Sequence, residues 1–311
     1  MHALLNALLP WEFSPTALIA AAAALAAYLR GWRLAGARAG VLRPAAFLGG
    51  VLLPYAFFDT RLEFFALHLF WLQRIEHLVL HHLAPFLIAV SAPVELLERG
   101  TPRAIREHVL RPLAANGALR AVYRLVQQPV LASVLFVGLI YFWLIPSVQL
   151  ATMLSEPLYQ LMNASMLLDG ILFWWLMVGP EASGGIRVPY GVRMLILVLI
   201  TLPQTLLGAF ITFHHGVLYP SFSICGRAGS IGPLLDQQLG GLNTWVPPGM
   251  MSAIGLAVVA ARAMREQRGL KASPAASGVL PRAVAGTGDA ALSIGCGRPL
   301  PSGAVRGTGS R

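Results

Sequence analysis

Gln73, Arg74, Glu76, His77, His81 and His82 fall within ten consecutive positions of an otherwise apolar stretch. Imidazoles bind metals, relay protons or take axial positions on haem, and buried carboxylates and guanidinium groups need partners. His77 and His81 stand at i, i+4, the spacing at which two imidazoles on one helix face reach a single metal ion. At about 100° per residue, Gln73, Arg74, His77 and His81 share one wedge of a helix. Glu76 lies beside that wedge, and His68 and His82 lie on the far side. The surrounding Phe, Leu, Val and Ala suit lipid, where ionisable groups are costly and mark functional interiors. A structural reading is also open, in which these groups satisfy one another and the facing helices.

Partners for the wedge come from further along the chain. Asp169 is expected to pair with Arg74 or a protonated His, because an isolated carboxylate at that depth is expensive. Met162 and Met166, also i, i+4, could offer thioethers to Cu(I), although a Met pair in an apolar helix more often packs. Asn163 lies between them. His214 and His215 precede a stretch that holds Cys225, Asp236, Gln237, Gly240, Gly241 and Trp245. Gly-Gly permits backbone geometry closed to other residues, Trp suits a headgroup-level anchor, and Asp could cap or bind a cation.

The elements that must position these residues are membrane helices. The 311 residues are 56% hydrophobic and 12% charged, with mean hydropathy +0.67. Soluble domains carry about twice that charged fraction. The expectation is an all-α, polytopic membrane helix bundle of about seven transmembrane helices. The apolar runs are 16–29, 45–58, 62–90, 129–150, 158–178, 191–213 and 246–261. The second is short and contains Pro54. Residues 95–128 carry six arginines among Leu, Val and Ile, a basic amphipathic segment suited to lying on the bilayer. Residues 1–13 lack a basic region ahead of their apolar run and are expected outside as a short N-terminus rather than a signal peptide. The bundle is expected over 14–265, with an exterior loop at 214–245. Residues 266–311, rich in Gly, Pro, Ala and Ser from Ala272 onward, are expected to be a disordered cytoplasmic tail.

Placing the loop at 30–43 in the cytoplasm puts sixteen Lys and Arg there, against Arg61 and Arg227 outside. The positive-inside rule therefore predicts the N-terminus outside and the C-terminus in the cytoplasm. The net charge of +10 is dispersed between apolar runs, which fits topology and lipid headgroups rather than nucleic acid. Cys225 and Cys296 have no paired spacing, which excludes a disulfide scaffold.

Residues 73–85 together with 236–251 resemble the CtaG-type cytochrome c oxidase assembly factors, multi-spanning bacterial membrane proteins. The family's hallmark in the third span is His-Met-x-Gln-His followed by apolar residues and Ala-Pro. His77, Ala84 and Pro85 match it. Its late hallmark, Asp-Gln, then Gly, then Trp-Val-Pro, is met by Asp236, Gln237, Gly240, Gly241, Trp245, Val246 and Pro247. Tyr28, Gly31 and Arg33, and Gly170, Phe173 and Trp174, fit as well. The sequence departs from the pattern where the family's first His and its Gln fall on Gln73 and Glu76, so the His pair sits one turn further along.

The resemblance implies maturation of a haem–copper oxidase in the bacterial inner membrane, with oxidase subunits and lipids as partners and copper delivery as the task. On that reading His77 and His81 hold copper, Gln73 or Glu76 supports them from behind, and His214, His215 and Cys225 collect the metal outside. Haem binding needs a His at matching depth on another span. A transporter would use Arg74, Glu76, His77 and Asp169 as a proton or ion relay, and a scaffold would need no ligand. Enzyme chemistry is not expected, because the sequence has no nucleophile elbow, phosphate loop or paired catalytic carboxylates.

Overall fold

Apolar chain that cannot hydrogen-bond to water satisfies its backbone internally, and the helix is the solution open to a single segment. The computed structural model describes residues 15–36, 40–180, 188–224, 226, 228 and 230–272, and is helical throughout with no strand among them. The expected N-terminal segment 1–13, Cys225, Cys296 and the tail beyond 272 lie outside the described residues.

The elements are α1 (Pro15–Ala35), α2 (Leu42–Asp59), α3 (Arg61–His68), α4 (Phe70–Leu78), a π-helical turn (Val79–Leu83), α5 (Ala84–Ser91) and α6 (Val94–Gly100). After a basic stretch that contains α7 (Arg103–Ile105), a second π turn (Arg106–Leu110) and α8 (Arg111–Ala115), the chain continues as α9 (Gly117–Val126), α10 (Pro129–Trp143) and α11 (Pro146–Met153). Then come α12 (Glu156–Val178), α13 (Tyr190–Phe213), α14 (Ser221–Ile224) and α15 (Pro233–Ala272).

Among the described residues, four helices are long and apolar enough to cross a membrane: Pro15–Ala35, Glu156–Val178, Tyr190–Phe213 and Pro233–Arg268. Two bent pairs raise the number to six if each is one span. These are Phe70–Ser91 with Val94–Gly100, bent by 71°, and Gly117–Val126 with Pro129–Trp143, bent by 75°. Leu42–Phe58 is a shorter apolar helix.

Three sequence expectations change. The run 62–90 is not one helix: it breaks at Leu69, whose φ of −138° and ψ of 115° are extended. The run 129–150 turns between α10 and α11 instead of continuing. Residues 233–245, expected in the exterior loop, form the start of α15, and the helix runs on to Ala272 into the segment expected to be tail.

Chain contacts divide the protein into Met1–Gln267 and Arg268–Arg311, of which the second is described only at the end of α15. In the first unit, two apolar clusters occupy different stretches of the same helices. One gathers Phe86, Phe136, Phe173, Trp174, Met177 and Leu197. The other gathers Phe70, Ile140, Tyr159, Met162, Met166, Ile211 and Tyr219. On α4 with the π turn, and on α13, the buried polar residues Gln73–His82 and Gln204 lie along the chain between members of the two clusters, while Asn163 on α12 lies within the second, between Met162 and Met166. The polar residues are therefore buried among apolar packing.

Close backbone approach fixes this packing. A Cβ on Gly170 would lie 2.5 Å from the His81 carbonyl oxygen, so only glycine lets α12 press this close to the π turn. A Cβ on Gly240 would lie 2.2 Å from the Phe70 ring, and one on Gly241 would lie 2.4 Å from Thr212 Oγ1. The Gly-Gly pair works by close packing inside a helix, not by forming a loop.

Candidate functional site

The site is built where α3–α5 departs from regular helix. Nothing in the local sequence caps the N-terminus of α4, and the cap comes from 166 residues away. Asp236 Oδ2 accepts the Phe70 N–H at 3.1 Å and Oδ1 accepts the Trp71 N–H at 2.9 Å. A carboxylate on the unpaired N–H groups of a helix start is favoured by hydrogen bonding and by the helix dipole. Asn243 Nδ2 donates to the Trp71 carbonyl at 3.1 Å. Gln237 ties down the preceding chain: its Oε1 accepts the Leu218 N–H at 2.6 Å and its Nε2 donates to the Gly216 carbonyl at 3.0 Å. Trp245 packs on Gly208, where a Cβ would lie 2.5 Å from its ring. The residues of the late hallmark thus hold the start of the histidine helix in place.

The π turn follows from Pro85. Proline has no N–H for the carbonyl four residues back, which is His81, and its ring crowds that oxygen. The Ala84 N–H reaches the Val79 carbonyl, five residues back, and widens the turn. The extra residue shifts everything after Leu78 relative to an ideal helix. His82, expected on the far side, therefore lines the same cavity as Arg74, His77 and His81.

Two polar arrangements result. In the first, Gln73 Oε1 accepts from Arg74 Nη2 at 2.7 Å and from Gln149 Nε2 at 2.8 Å, while Gln73 Nε2 donates to Met153 Sδ at 3.3 Å. The Arg74 guanidinium lies 5.1 Å from the centre of the Phe70 ring, within cation–π range. Glu76 turns away to α12, where its carboxylate accepts from Tyr159 Oη at 2.6 Å and from Asn163 Nδ2 at 2.8 Å. In the second, His81 Nε2 and Asp169 Oδ2 are 3.0 Å apart, and Phe136 stacks on the imidazole with centroids 4.1 Å apart. Of the two partners expected for Asp169, the structure selects the histidine over Arg74.

Between these arrangements lies a cavity of about 20 Å³ for water centres, lined by Arg74, His77, His81, His82 and Met166 on one side. Asn243, Thr244 and Pro248 of α15 complete the wall. That volume suits one water molecule or one bare ion. The buried, unpartnered polar atoms concentrate here: Arg74 Nε, both ring nitrogens of His77 and His82, and His81 Nδ1. Asn163 and Gln204 stand beside His77 and His82 without forming hydrogen bonds of normal geometry. Pro247 and Pro248 have no N–H to give the carbonyls of Asn243 and Thr244, which leaves those oxygens without their usual i+4 donors.

Among the described residues, no three His, Cys, Asp or Glu side chains are gathered as a metal group. The donors at the cavity are three imidazoles and the Met166 thioether, with the oxygens of Asn243 and Thr244 on the α15 side. Zinc prefers three or four hard or borderline ligands in a tetrahedron, whereas thioether with imidazole suits Cu(I). His81 has one ring nitrogen held by a carboxylate and the other buried without a partner, an arrangement also found in metal-binding histidines. His214 and His215 are not brought to this centre; His214 Nδ1 sits with the Gly216 backbone near the surface. Sequence reasoning missed His82, Tyr159 and Gln149. Pro85, four residues after His81, is the signal that could have revealed the shift that brings in His82.

The family model for the cytochrome c oxidase caa3 assembly factor (Caa3_CtaG) matches residues 26–266. That span is most of the chain, and the protein belongs to this family. No curated protein and no solved structure matches the chain.

Proposed function

We propose that this caa3 oxidase assembly factor handles copper within the membrane, holding Cu(I) at the cavity beside His77, His81, His82 and Met166 before it passes to the oxidase. The observation that carries this reading is His81. Its Nε2 is engaged by Asp169 at 3.0 Å and its Nδ1 is buried without a partner, the arrangement that orients a histidine toward a metal. Asp169 fixes the tautomer, the Phe136 stack fixes the ring plane, and Gly170 lets α12 come close enough for both. When bound, copper would bring its redox chemistry and its soft-ligand preference. The chain's own residues supply a small, buried pocket in which the imidazoles and the Met166 thioether are the soft donors. Haem is disfavoured because, among the described residues, the buried histidines all belong to one helical segment, 77–82, and none faces them from another helix.

The reading places the protein in the bacterial inner membrane as a multi-pass bundle. It counts Leu42–Phe58 and the apolar arm of each bent pair, Phe70–Ser91 and Pro129–Trp143, as spans, for seven in all, with the N-terminus outside. The bends of 71° and 75° set α6 and α9 at a steep angle to the apolar arms they join, and α6 packs back against α1 through Gly31 and Gly100. Between α5 and α10, Ile105, Val109, Leu113, Leu119 and Val122 are exposed beside Arg103, Arg106, Arg111, Arg120 and Arg124, which suits the surface of an anionic bilayer. His214 and His215 are proposed as the outer collection point.

Deletion of the gene tests the role. The expected result is loss of the caa3 oxidase spectrum and activity, partly restored by added copper. Normal oxidase at limiting copper in the deletion strain would contradict it.

A further inference from the structure

We infer that Arg74 is a charge filter for this centre, favouring a singly charged soft ion over doubly charged ones. The inference rests on the copper reading above and specifies which charge state the pocket accepts. Arg74 is 3% exposed and lines the same cavity as His77, His81 and Met166. Among the described residues it has no ion pair. Its Nη2 is occupied by Gln73, and its Nε is buried without a partner. Glu76 attracts the guanidinium without an ion-pair contact and accepts from Tyr159 and Asn163, Asp169 holds His81, and neither carboxylate lines the cavity. The guanidinium is therefore the charged group in the wall itself, and the carboxylates act on an entering ion only from behind it.

Coulomb repulsion scales with the product of the charges, so Arg74 opposes a doubly charged ion twice as strongly as a singly charged one. Burial leaves little salt or water to screen the difference. Imidazole and thioether donors act in the same direction, because they suit soft ions. The positioning network gives the guanidinium little freedom to retreat: Gln73 is itself fixed by Gln149 and Met153, and Phe70 is fixed against Gly240.

The test uses the purified full-length protein in detergent, with Ag(I) as a redox-inert stand-in for Cu(I) and Zn(II) as the competitor. Wild type is expected to bind Ag(I) and to keep it against excess Zn(II). Arg74→Gln, which removes the charge and keeps a donor, is expected to shift the Zn(II)/Ag(I) preference about tenfold toward zinc. Arg74→Lys, which keeps the charge, should retain the wild-type preference. An Arg74→Gln protein with unchanged preference overturns the filter. So does a wild type that takes both ions alike, a result that needs no variant to fold. A wild type that takes no Ag(I) contradicts the copper reading itself, and the two failures are thereby told apart.

Discussion

At the scale of single residues, Asp169 decides whether His81 is a ligand or merely a buried side chain. The carboxylate receives Nε2 and leaves the other nitrogen as a lone pair, a division of roles that Asn cannot enforce because it can donate as well as accept. Asp169→Asn is therefore expected to lower Cu(I) affinity about 10- to 100-fold while the bundle still folds, as read by competition with a Cu(I) chelator. Unchanged affinity would remove Asp169 from the site. Glu76 has a different role: bonded to Tyr159 and Asn163, it ties α4 to α12 and does not line the cavity.

At the scale of elements, the site depends on two interruptions of one helix and on the distant residues that stabilise them. The break at Leu69 exposes the first N–H groups of α4, and Asp236 accepts two of them. Asp236→Ala leaves these donors buried without partners and is expected to cost about 2 kcal/mol or more. Thermal unfolding in detergent measures the loss, and Asp236→Asn should recover part of it. An alanine variant as stable as wild type would show that the cap contributes nothing. Little of this was legible in the sequence. Leu69 carries no Gly or Pro to announce a break, because tertiary capping from α15 replaces local chemistry. The wedge of Gln73, Arg74 and His77 was legible, since the helix is regular up to Leu78. Beyond that point an assumed 100° per residue fails at the π turn, which is why His82 was assigned to the wrong face. The apolar run begins only at Val246, whereas α15 begins at Pro233 and passes through Pro247-Pro248. The sequence therefore pointed to Asp236–Trp245 as distinctive while suggesting a loop.

At the scale of the whole molecule, the helical class and the ends of α12 and α13 followed from apolar runs within a residue or two, because membrane-depth backbone has few alternatives. Orientation is a matter of charge distribution alone, and it has its own check. A cysteine at Arg61 should react with a membrane-impermeant thiol reagent in intact cells and one at Arg265 should not; the reverse pattern would invert the topology. The central claim is that the buried polar cavity beside His77 and His81 is a copper centre. Its most direct test is the copper content of the purified protein reconstituted with Cu(I), compared with that of the His77→Ala/His81→Ala variant at matched folding. The expected result is about one bound copper per chain in the wild type and none in the variant, since imidazole is the principal donor class at the cavity. Equal copper content in the two proteins would contradict the intramembrane site.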